Sequence, residues 1–389
     1  MRNLRIAHIA DTHLGYRSAT VPGRDDDFAS AWLSACRAIV DSKPDLILHA
    51  GDVFHRPNPS WAAVATFLEG AEILDEANCP VLGISGNHDS SRIMTKHNVF
   101  TVLSGVVSDI FISYDPTPII VNFPTFDAKV VLLSHQSLLD RNLQPNLEYV
   151  LTQIDDAEYK ILVAHGDIYE LQEARELGGI VIPDFIFEYP WSYAALGHLH
   201  VAQPYGKRGW YAGSTERCGW SDYPASPGWT LATLSPTGLR HEHHPLPHLR
   251  FIQLPDFEGE NDDEVNIADY TLRTIGYSQL GSNERAVARI KLNGIHPFAR
   301  RSIQSSLQRM VKLHYPHLVF QVEARSDSWI WSDPVDAPQG KEFQSIEDMF
   351  RDFVETRIFD DPSIPAKLLE VGLDSISKVQ AVEANRTEV

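Results

Sequence analysis

The sequence predicts an α/β fold in its first half, built from strands that end in polar side chains. Apolar runs of strand length alternate with amphipathic stretches of helical period as far as residue 85. Pro44 and Gly86 stand where two of these elements end. The chain has 389 residues, more than one typical domain, so further domains are expected beyond the α/β part.

The predicted elements of the α/β part follow one another regularly. Residues 5–10 form the first predicted strand, with Asp11 just beyond its end. A helix follows, and the acidic residues 25–27 suit its N-terminus because the helix dipole favours negative charge there. The later elements are a strand over residues 46–48, an amphipathic helix that starts near Ser60 and a buried strand over residues 81–85.

Beyond residue 110 the pattern changes to shorter strands and then to separate smaller units. Predicted strands over residues 160–164 and 193–196 each lead to a histidine-containing motif. The proline-rich residues 245–247 indicate a domain boundary, and residues 334–340 indicate a second linker. The expected parts are residues 1–247, a small α+β unit over residues 248–335 and a helical segment over residues 336–389.

Five groups of Asp, Asn and His follow strand-like runs and together predict a metal centre. Each group alone is weak evidence, since an Asp-x-His motif at a strand end is more often a cap or a polar pair. Aspartate, histidine and amide ligands without a thiolate suit manganese, iron or zinc. Two such ions are the usual arrangement for phosphoester cleavage, and Asp52 is the natural candidate for a shared carboxylate. The groups are Asp11-Thr12-His13, Gly51-Asp52, Gly86-Asn87-His88-Asp89, His165-Gly166 and Gly197-His198-Leu199-His200.

With these motifs the chain resembles the calcineurin-like metallophosphoesterases and, within them, the SbcD-type nuclease subunits of DNA double-strand-break repair. The nuclease branch is indicated by the longer runs ADTHLG at residues 10–15, AGDVFH at residues 50–55 and YAGSTER at residues 211–217. The resemblance implies a metallophosphoesterase β-sandwich flanked by helices over residues 1–247. A small α+β cap domain and C-terminal helices would follow it.

The resemblance also implies two divalent metal ions, most readily Mn²⁺, and a role for each polar side chain. Asp52 would bridge the ions. His88 would face the scissile phosphate, oriented by Asp89, and His55 would help to position the phosphate. His55 stands where many members of the superfamily carry an acidic residue. The remaining ligands implied are Asp11, His13 and His200 for one ion and Asn87, His165 and His198 for the other.

The composition indicates the cellular compartment of the protein and the kinds of partner it could bind. The net charge of −19 argues mildly against broad nucleic-acid binding, although bound divalent cations can attract phosphate locally. The three cysteines lie far apart, which indicates a reducing compartment and cysteines packed as small apolar groups. Neither a signal peptide nor a membrane-spanning run is recognised, so we expect a cytoplasmic protein without a membrane partner.

The resemblance implies DNA as substrate and an SbcC-type, SMC-like ATPase that docks on the C-terminal helices. It leaves the oligomeric state open, with a homodimer among the options. A phosphodiesterase or phosphatase acting on nucleotides or phosphoproteins would share every metal ligand and is the main alternative. A non-catalytic scaffold is disfavoured, because both the ligand set and the catalytic histidines are intact.

Several other residues are given a structural role. His135 follows a strand but lacks the glycine that follows His165. The histidines at 241, 243 and 244 fall in a proline-bounded stretch that predicts a solvated loop. Four tryptophans could stack on bases but are more often core or domain-contact residues, and these are Trp191, Trp210, Trp220 and Trp229.

Overall fold

The computed structural model divides the chain into two compact units, Met1–Arg325 and Ser326–Val389. The second unit and its predicted helical stripes lie outside the described residues, apart from four helical positions. No helix among the described residues is both long and apolar enough to cross a membrane. The described residues are 3–90, 98–107, 110–168, 181–223, 225–258, 264–281, 284–293 and 300–325, together with Arg351, Val354, Leu369 and Leu373.

The first sheet carries the predicted strand–helix alternation. Its four N-terminal strands are parallel, and two later strands extend it antiparallel beyond the first strand. In spatial order the sheet is β14, β13, β1, β2, β3 and β4. The strands are β1 (Leu4–Ile9), β2 (Leu46–Ala50), β3 (Val81–Ile84), β4 (Ile110–Ser113), β13 (Gly228–Ser235) and β14 (Gly238–Pro245), and the helices are α1 (Arg24–Ser42), α2 (Trp61–Asp75) and α3 (Val99–Leu103).

A second sheet of six strands has the spatial order β11, β12, β10, β7, β6 and β5. Its central strands β6, β7 and β10 are parallel. The strands are β5 (Ile119–Phe123), β6 (Ala128–Leu133), β7 (Tyr159–His165), β10 (Tyr193–Gly197), β11 (Gln203–Tyr205) and β12 (Gly209–Tyr211). A two-stranded pair, β8 (Asp167–Ile168) and β9 (Val181–Ile182), and the helices α4 (His135–Leu139), α5 (Leu143–Ile154) and α6 (Phe185–Glu188) complete this half.

The two sheets pack face to face, with helices on their outer surfaces. On β1, Ile6 points into the core between the sheets, where it joins Val130 and Ile161 of the second sheet. The next residue, Ala7, points to the opposite face and packs in a cluster with Trp32 of α1. Side chains alternate along a strand, so a strand that is apolar on both faces must be covered on both. The predicted sandwich flanked by helices is confirmed.

A third sheet of four strands, with its own apolar cluster, follows the sandwich within the same compact unit. The strands are parallel, and the central strand pairs with all three others. This sheet falls inside residues 248–335, where a small α+β unit is predicted, and the exact boundaries of that unit stay a prediction. Its elements are β15 (Arg250–Gln253), β16 (Phe257–Glu258), β17 (Ala286–Asn293), β18 (Leu318–Arg325), α7 (Glu264–Tyr277) and α8 (Arg300–His314).

The prediction of a solvated loop at the histidines of residues 241–244 is wrong. These residues belong to β14, which pairs with β13 along its whole length. The ring of His241 stacks on Trp210 at 4.5 Å between centroids, and that of His244 stacks on Trp229 at 4.4 Å. This stretch is a strand because its backbone pairs with β13, and its histidine rings pack on Trp229 of that strand and on Trp210 of the second sheet.

Candidate metal centre

The predicted ligands meet where the strands of both sheets end. In the first sheet β1, β2 and β3 are parallel neighbours, so the loops that follow them emerge at one edge. In the second sheet Gly197 pairs with His165 at the ends of β10 and β7. The two edges approach so closely that a Cβ on Gly197 would lie 1.9 Å from the carbonyl oxygen of Ala50. Only glycine fits there, which explains its place before the His-Leu-His motif.

Four of the predicted ligands have left-handed backbone conformations, with φ between 40° and 99°. Such conformations are costly for residues with a Cβ and are found mainly where a functional geometry requires them. The loops therefore turn sharply at the ligands and direct their side chains towards one another. The four are Asp11, His13, Asp52 and His198.

The side chains of Asn87, His165 and His198 form one group. The amide oxygen Oδ1 of Asn87 lies 3.0 Å from Nε2 of His165 and 3.1 Å from Nδ1 of His198. A second group contains His13 and His200, whose Nε2 atoms lie 3.1 Å apart. The structure thus brings together the same two sets of nitrogen ligands that the resemblance implies.

Asp52 lies between the two groups. Its Oδ2 atom is 3.4 Å from Nε2 of His165 and 3.7 Å from Nε2 of His13. Its other oxygen accepts the backbone N–H of His88 at 2.8 Å, which fixes the orientation of the carboxylate. A single carboxylate oxygen that faces ligands of both groups has the geometry expected of a bridge.

Asp11 lies at the same junction. Its carboxylate accepts the backbone N–H of His198, and one of its oxygens lies within 4.8 Å of ligand atoms of Asp52 and His165. The resemblance groups Asp11 with His13 and His200. In the structure Asp11 is close to the carboxylate of Asp52 and to His165 of the other group.

Three of the four imidazoles are anchored through the ring nitrogen that points away from the centre. Nδ1 of His165 donates to the carbonyl oxygen of Ala50 at 2.8 Å. Nε2 of His198 lies 3.3 Å from Asp167, and Nδ1 of His200 lies 3.0 Å from Asp222. Metal-bound histidines usually have such an outer partner, which fixes the tautomer and the ring orientation.

Sequence reasoning missed both outer carboxylates. Asp167 follows the predicted ligand His165 by two residues, so its position next to that motif could have identified it as an outer partner. Asp222 is separated from His200 by 22 positions, and no spacing rule connects them.

The donor set fits divalent cations. Nδ1 of His165 donates to the carbonyl oxygen of Ala50, so when the ring is neutral Nε2 directs a lone pair at the oxygens of Asn87 and Asp52. Lone pairs that face one another at about 3 Å repel unless a proton or a cation lies between them. Nitrogen and oxygen donors of this kind suit manganese, iron and zinc.

The short distances between Asp52 and the histidines also shift the pKa values of these groups. Burial alone would lower the pKa of His165, but the charge and hydrogen bond of Asp52 raise it to about 9. Conversely, burial would raise the pKa of Asp52, but His165 and His13 hold it well below its usual range. The buried carboxylate is therefore negatively charged and paired with positive charge.

The two predicted catalytic histidines lie together beside His13. The rings of His55 and His88 stack with centroids 4.9 Å apart, and the ring of His88 is 4.8 Å from that of His13. Nδ1 of His88 lies 3.2 Å from the carbonyl oxygen of His55, which orients the imidazole. Burial and the adjacent His88 lower the pKa of His55 to about 4.

Asp89 contacts backbone amides. Its carboxylate accepts the N–H groups of Gly86 and Val53 at 2.6 Å each, and that of Phe54 at 3.4 Å. Burial and the nearby charge of Asp52 raise the pKa of Asp89 to about 8, against the effect of the amide bonds. Any influence of Asp89 on the imidazole of His88 therefore passes through the loops that it ties together.

The residues that were given structural roles stay outside the two ligand groups. His135 begins α4, is 8% exposed and donates its backbone N–H to Ser85. Trp191 and Trp229 are buried, and Trp210 stacks on His241. Trp220 packs against Phe251 and lies under the guanidinium of Arg289 at 4.2 Å, so it contacts the third sheet.

A family model described as calcineurin-like phosphoesterase matches residues 4–202. Several curated relatives carry the name DNA double-strand break repair protein Mre11, two of them as follows. The one from Methanococcus maripaludis is 27% identical over 51% of this chain and 52% of its own length. The one from Archaeoglobus fulgidus is 32% identical over 55% of this chain and 50% of its own length. The chain thus spans about half the length of these relatives.

Two solved structures are also similar to the chain. A purple acid phosphatase from yellow lupin is 12% identical, with a TM-score of 0.42 over 63% of this chain and 52% of its own. A dimetal phosphatase from Danio rerio is 14% identical, with a TM-score of 0.39 over 62% of this chain and 96% of its own.

Proposed function

The chain belongs to the calcineurin-like phosphoesterase family, and from this premise we propose that it is a two-metal DNA nuclease of double-strand-break repair. The observation that carries the proposal is the position of Asp52, whose Oδ2 atom faces nitrogen ligands of two separate groups at 3.4 and 3.7 Å. A carboxylate shared between two ions would hold them at the spacing of about 3.5–4 Å that is usual for phosphoester cleavage. The DNA substrate is proposed from the names of the curated relatives.

The proposed ligand sets follow the two groups. Asn87, His165 and His198 would hold one ion, because a ring nitrogen of each histidine lies within 3.1 Å of the Asn87 amide oxygen. His13 and His200 would hold the other together with Asp11, and Asp52 would be shared by the two. Mn²⁺ is the proposed metal, since oxygen and imidazole ligands suit it.

When bound, the two ions supply an activated water nucleophile and offset the charge on the phosphate. The chain's own residues would position the substrate and move a proton. The Nδ1–H of His88 donates to the carbonyl oxygen of His55, so Nε2 is directed away from that carbonyl. A protonated Nε2 would donate to the leaving oxygen of the scissile bond, and His55, stacked on His88, would hold the phosphate in place.

The partner and the location are also proposals. We propose that residues 336–389 dock on an SbcC-type ATPase, a helical role that the apolar spacing of Met349, Phe350 and Phe353 supports. A protein that repairs DNA with such a partner would work in the cytoplasm. A homodimer is compatible with this assignment.

The test compares substrates with one purified protein. The full chain is incubated with Mn²⁺ and single- or double-stranded DNA, and in parallel with a nucleotide phosphodiester. DNA cleavage that is abolished by EDTA and by Asp52→Ala is expected. Cleavage of the nucleotide without cleavage of either DNA would replace the nuclease with the alternative function, a small-molecule phosphodiesterase. Absence of all phosphoester hydrolysis with Mn²⁺ would overturn the enzymatic proposal.

A further inference from the structure

A cysteine side chain lies beside His13 and His200, and its potential ligand atom is sulfur. Sγ of Cys218 and one ring nitrogen of each histidine all lie within 4.8 Å of one another. We propose that Cys218 supplies a thiolate ligand to the metal ion held by His13 and His200. This inference rests on the proposed two-metal function, and it makes that position softer than the Asn87 position.

The backbone of Cys218 is fixed to the same carboxylate that orients His200. Oδ2 of Asp222 accepts the backbone N–H of Cys218 at 2.7 Å and Nδ1–H of His200 at 3.0 Å. The hydroxyl of Tyr16 donates to the carbonyl oxygen of Cys218 at 2.6 Å. Because its backbone N–H and its carbonyl oxygen are both hydrogen-bonded, Cys218 keeps Sγ close to the His200 ring.

The distances are compatible with one ion. Bond lengths of about 2.3 Å to sulfur and about 2.0–2.1 Å to imidazole nitrogen allow ligand atoms to lie up to about 4.4 Å apart. The three atoms lie within 4.8 Å of one another, so binding one ion would require an approach of at most a few tenths of an ångström, within reach of a side-chain rotation.

The other two cysteines occupy different surroundings. Cys36 lies on α1 in the core, fully buried. Cys79 follows α2 and is partly buried against the apolar cluster that also contains Cys36. Among the described residues neither belongs to a group of potential metal ligands. Cys218 differs from both, because the loop after β12 returns to the candidate metal centre.

A thiolate would change which metals the position prefers. On binding, the S–H bond breaks, the proton passes to solvent and a sulfur–metal bond forms in its place. Thiolate is a soft ligand that favours zinc and other soft or borderline ions over manganese. Cobalt and cadmium are suitable probes, since thiolate ligation to either gives a charge-transfer absorption band that imidazole and carboxylate do not.

The experiment titrates the metal-free full-length chain with Co²⁺ and records the visible and near-ultraviolet spectrum. Cys218→Ser is compared with wild type and with Cys79→Ser, the matched control. Wild type and Cys79→Ser should both show a thiolate charge-transfer band. Cys218→Ser should lose that band and keep the visible bands of bound Co²⁺, which also shows that the variant is folded. In competition with Mn²⁺, Cd²⁺ should lose affinity in Cys218→Ser alone.

Visible Co²⁺ bands in wild type without a thiolate band would overturn the inference about Cys218 and leave the two-metal centre standing. A thiolate band that persists in Cys218→Ser would likewise overturn it. Failure of wild type to bind Co²⁺ or Cd²⁺ would overturn the inference together with the proposed function.

Discussion

Asp222 and His200 are joined by a hydrogen bond of 3.0 Å from Nδ1 of the imidazole to Oδ2 of the carboxylate. Burial alone would lower the pKa of His200, but hydrogen bonds with Asp222 and Cys218 raise it well above its usual value. The bond also turns Nε2 towards His13. A residue remote from the motifs in sequence thus orients a proposed metal ligand.

Asp222→Asn should weaken metal binding at the position of His13 and His200. The amide keeps an acceptor for Nδ1–H but loses the charge that makes the imidazole a stronger donor to metal. Loss of such an outer partner typically costs about 10- to 100-fold in metal affinity. Equilibrium dialysis with Mn²⁺ measures this, and Asp167→Asn is the matched change beside His198. Equal occupancy of both positions in Asp222→Asn and wild type would contradict the orienting role.

Asp52→Ala should remove both metal ions and abolish activity more completely than any single terminal ligand change. The physical reason is that one carboxylate oxygen faces ligands of both groups. Elemental analysis of the purified variant should give a metal content close to zero. Asn87→Ala, which removes a ligand of one group, should retain more metal. Two ions per chain in Asp52→Ala would disprove the bridging assignment.

His88→Ala should separate metal binding from turnover. His88 lies beside His13 but is oriented by the carbonyl oxygen of His55, so its loss should leave both ions bound. Turnover should fall by about 10²–10⁴-fold, the usual contribution of a general acid. Single-turnover kinetics with DNA and elemental analysis measure the two effects, and His55→Ala should show the same separation. Loss of a metal ion in His88→Ala would identify His88 as a ligand instead.

Stability should fall in acid because His8 is buried in its neutral form. Burial and then the nearby His241 and His49 lower the pKa of His8 to about 3, while its ordinary value is 6.5. Between these values the unfolded chain binds a proton that the folded chain does not. The contribution of His8 is therefore complete above pH 6.5 and declines by about 1.4 kcal/mol per pH unit as the pH falls towards 3.

Urea denaturation in EDTA at pH 6.5, 5.5 and 4.5 measures this slope. His8→Gln should lower the overall stability, because it disturbs the 2.7 Å contact with Tyr193, and should also flatten the slope by about 1.4 kcal/mol per pH unit. The control variant is His317→Gln, at an exposed position. Parallel curves for wild type and His8→Gln would show that His8 does not titrate on unfolding.

A chain that ends at Gly340 should keep the proposed nuclease activity and lose the proposed partner. The three sheets and their apolar clusters lie within Met1–Arg325, so the catalytic part should fold without the C-terminal segment. Mn²⁺-dependent cleavage of short single-stranded DNA should match the full chain, while co-purification with an SbcC-type ATPase should fail. Unfolding of the shortened chain, or loss of its intrinsic activity, would show that the segment belongs to the catalytic core.

Local patterns account for the parts of the molecule that were predicted. Alternating apolar strands and helices of 3.6-residue period specify the layers, because each element must bury its apolar face. The ligands follow strands that are parallel, and parallel strands end at the same edge of a sheet. Asp11, Asp52 and Asn87 therefore meet for a reason already visible in the order of elements.

Long-range packing decided the rest. Asp222 reaches His200, and Cys218 reaches His13, only because the loop after β12 returns across the sheet edge. The strand at His241 and His244 depends on tryptophans of other strands, which stack on their rings. The sequence by itself determined the fold class and the candidate ligands, since periodicity and strand ends are local. The tertiary structure alone decided which groups orient those ligands, because hydrogen bonds between distant segments depend on the final distances between side chains and on their burial.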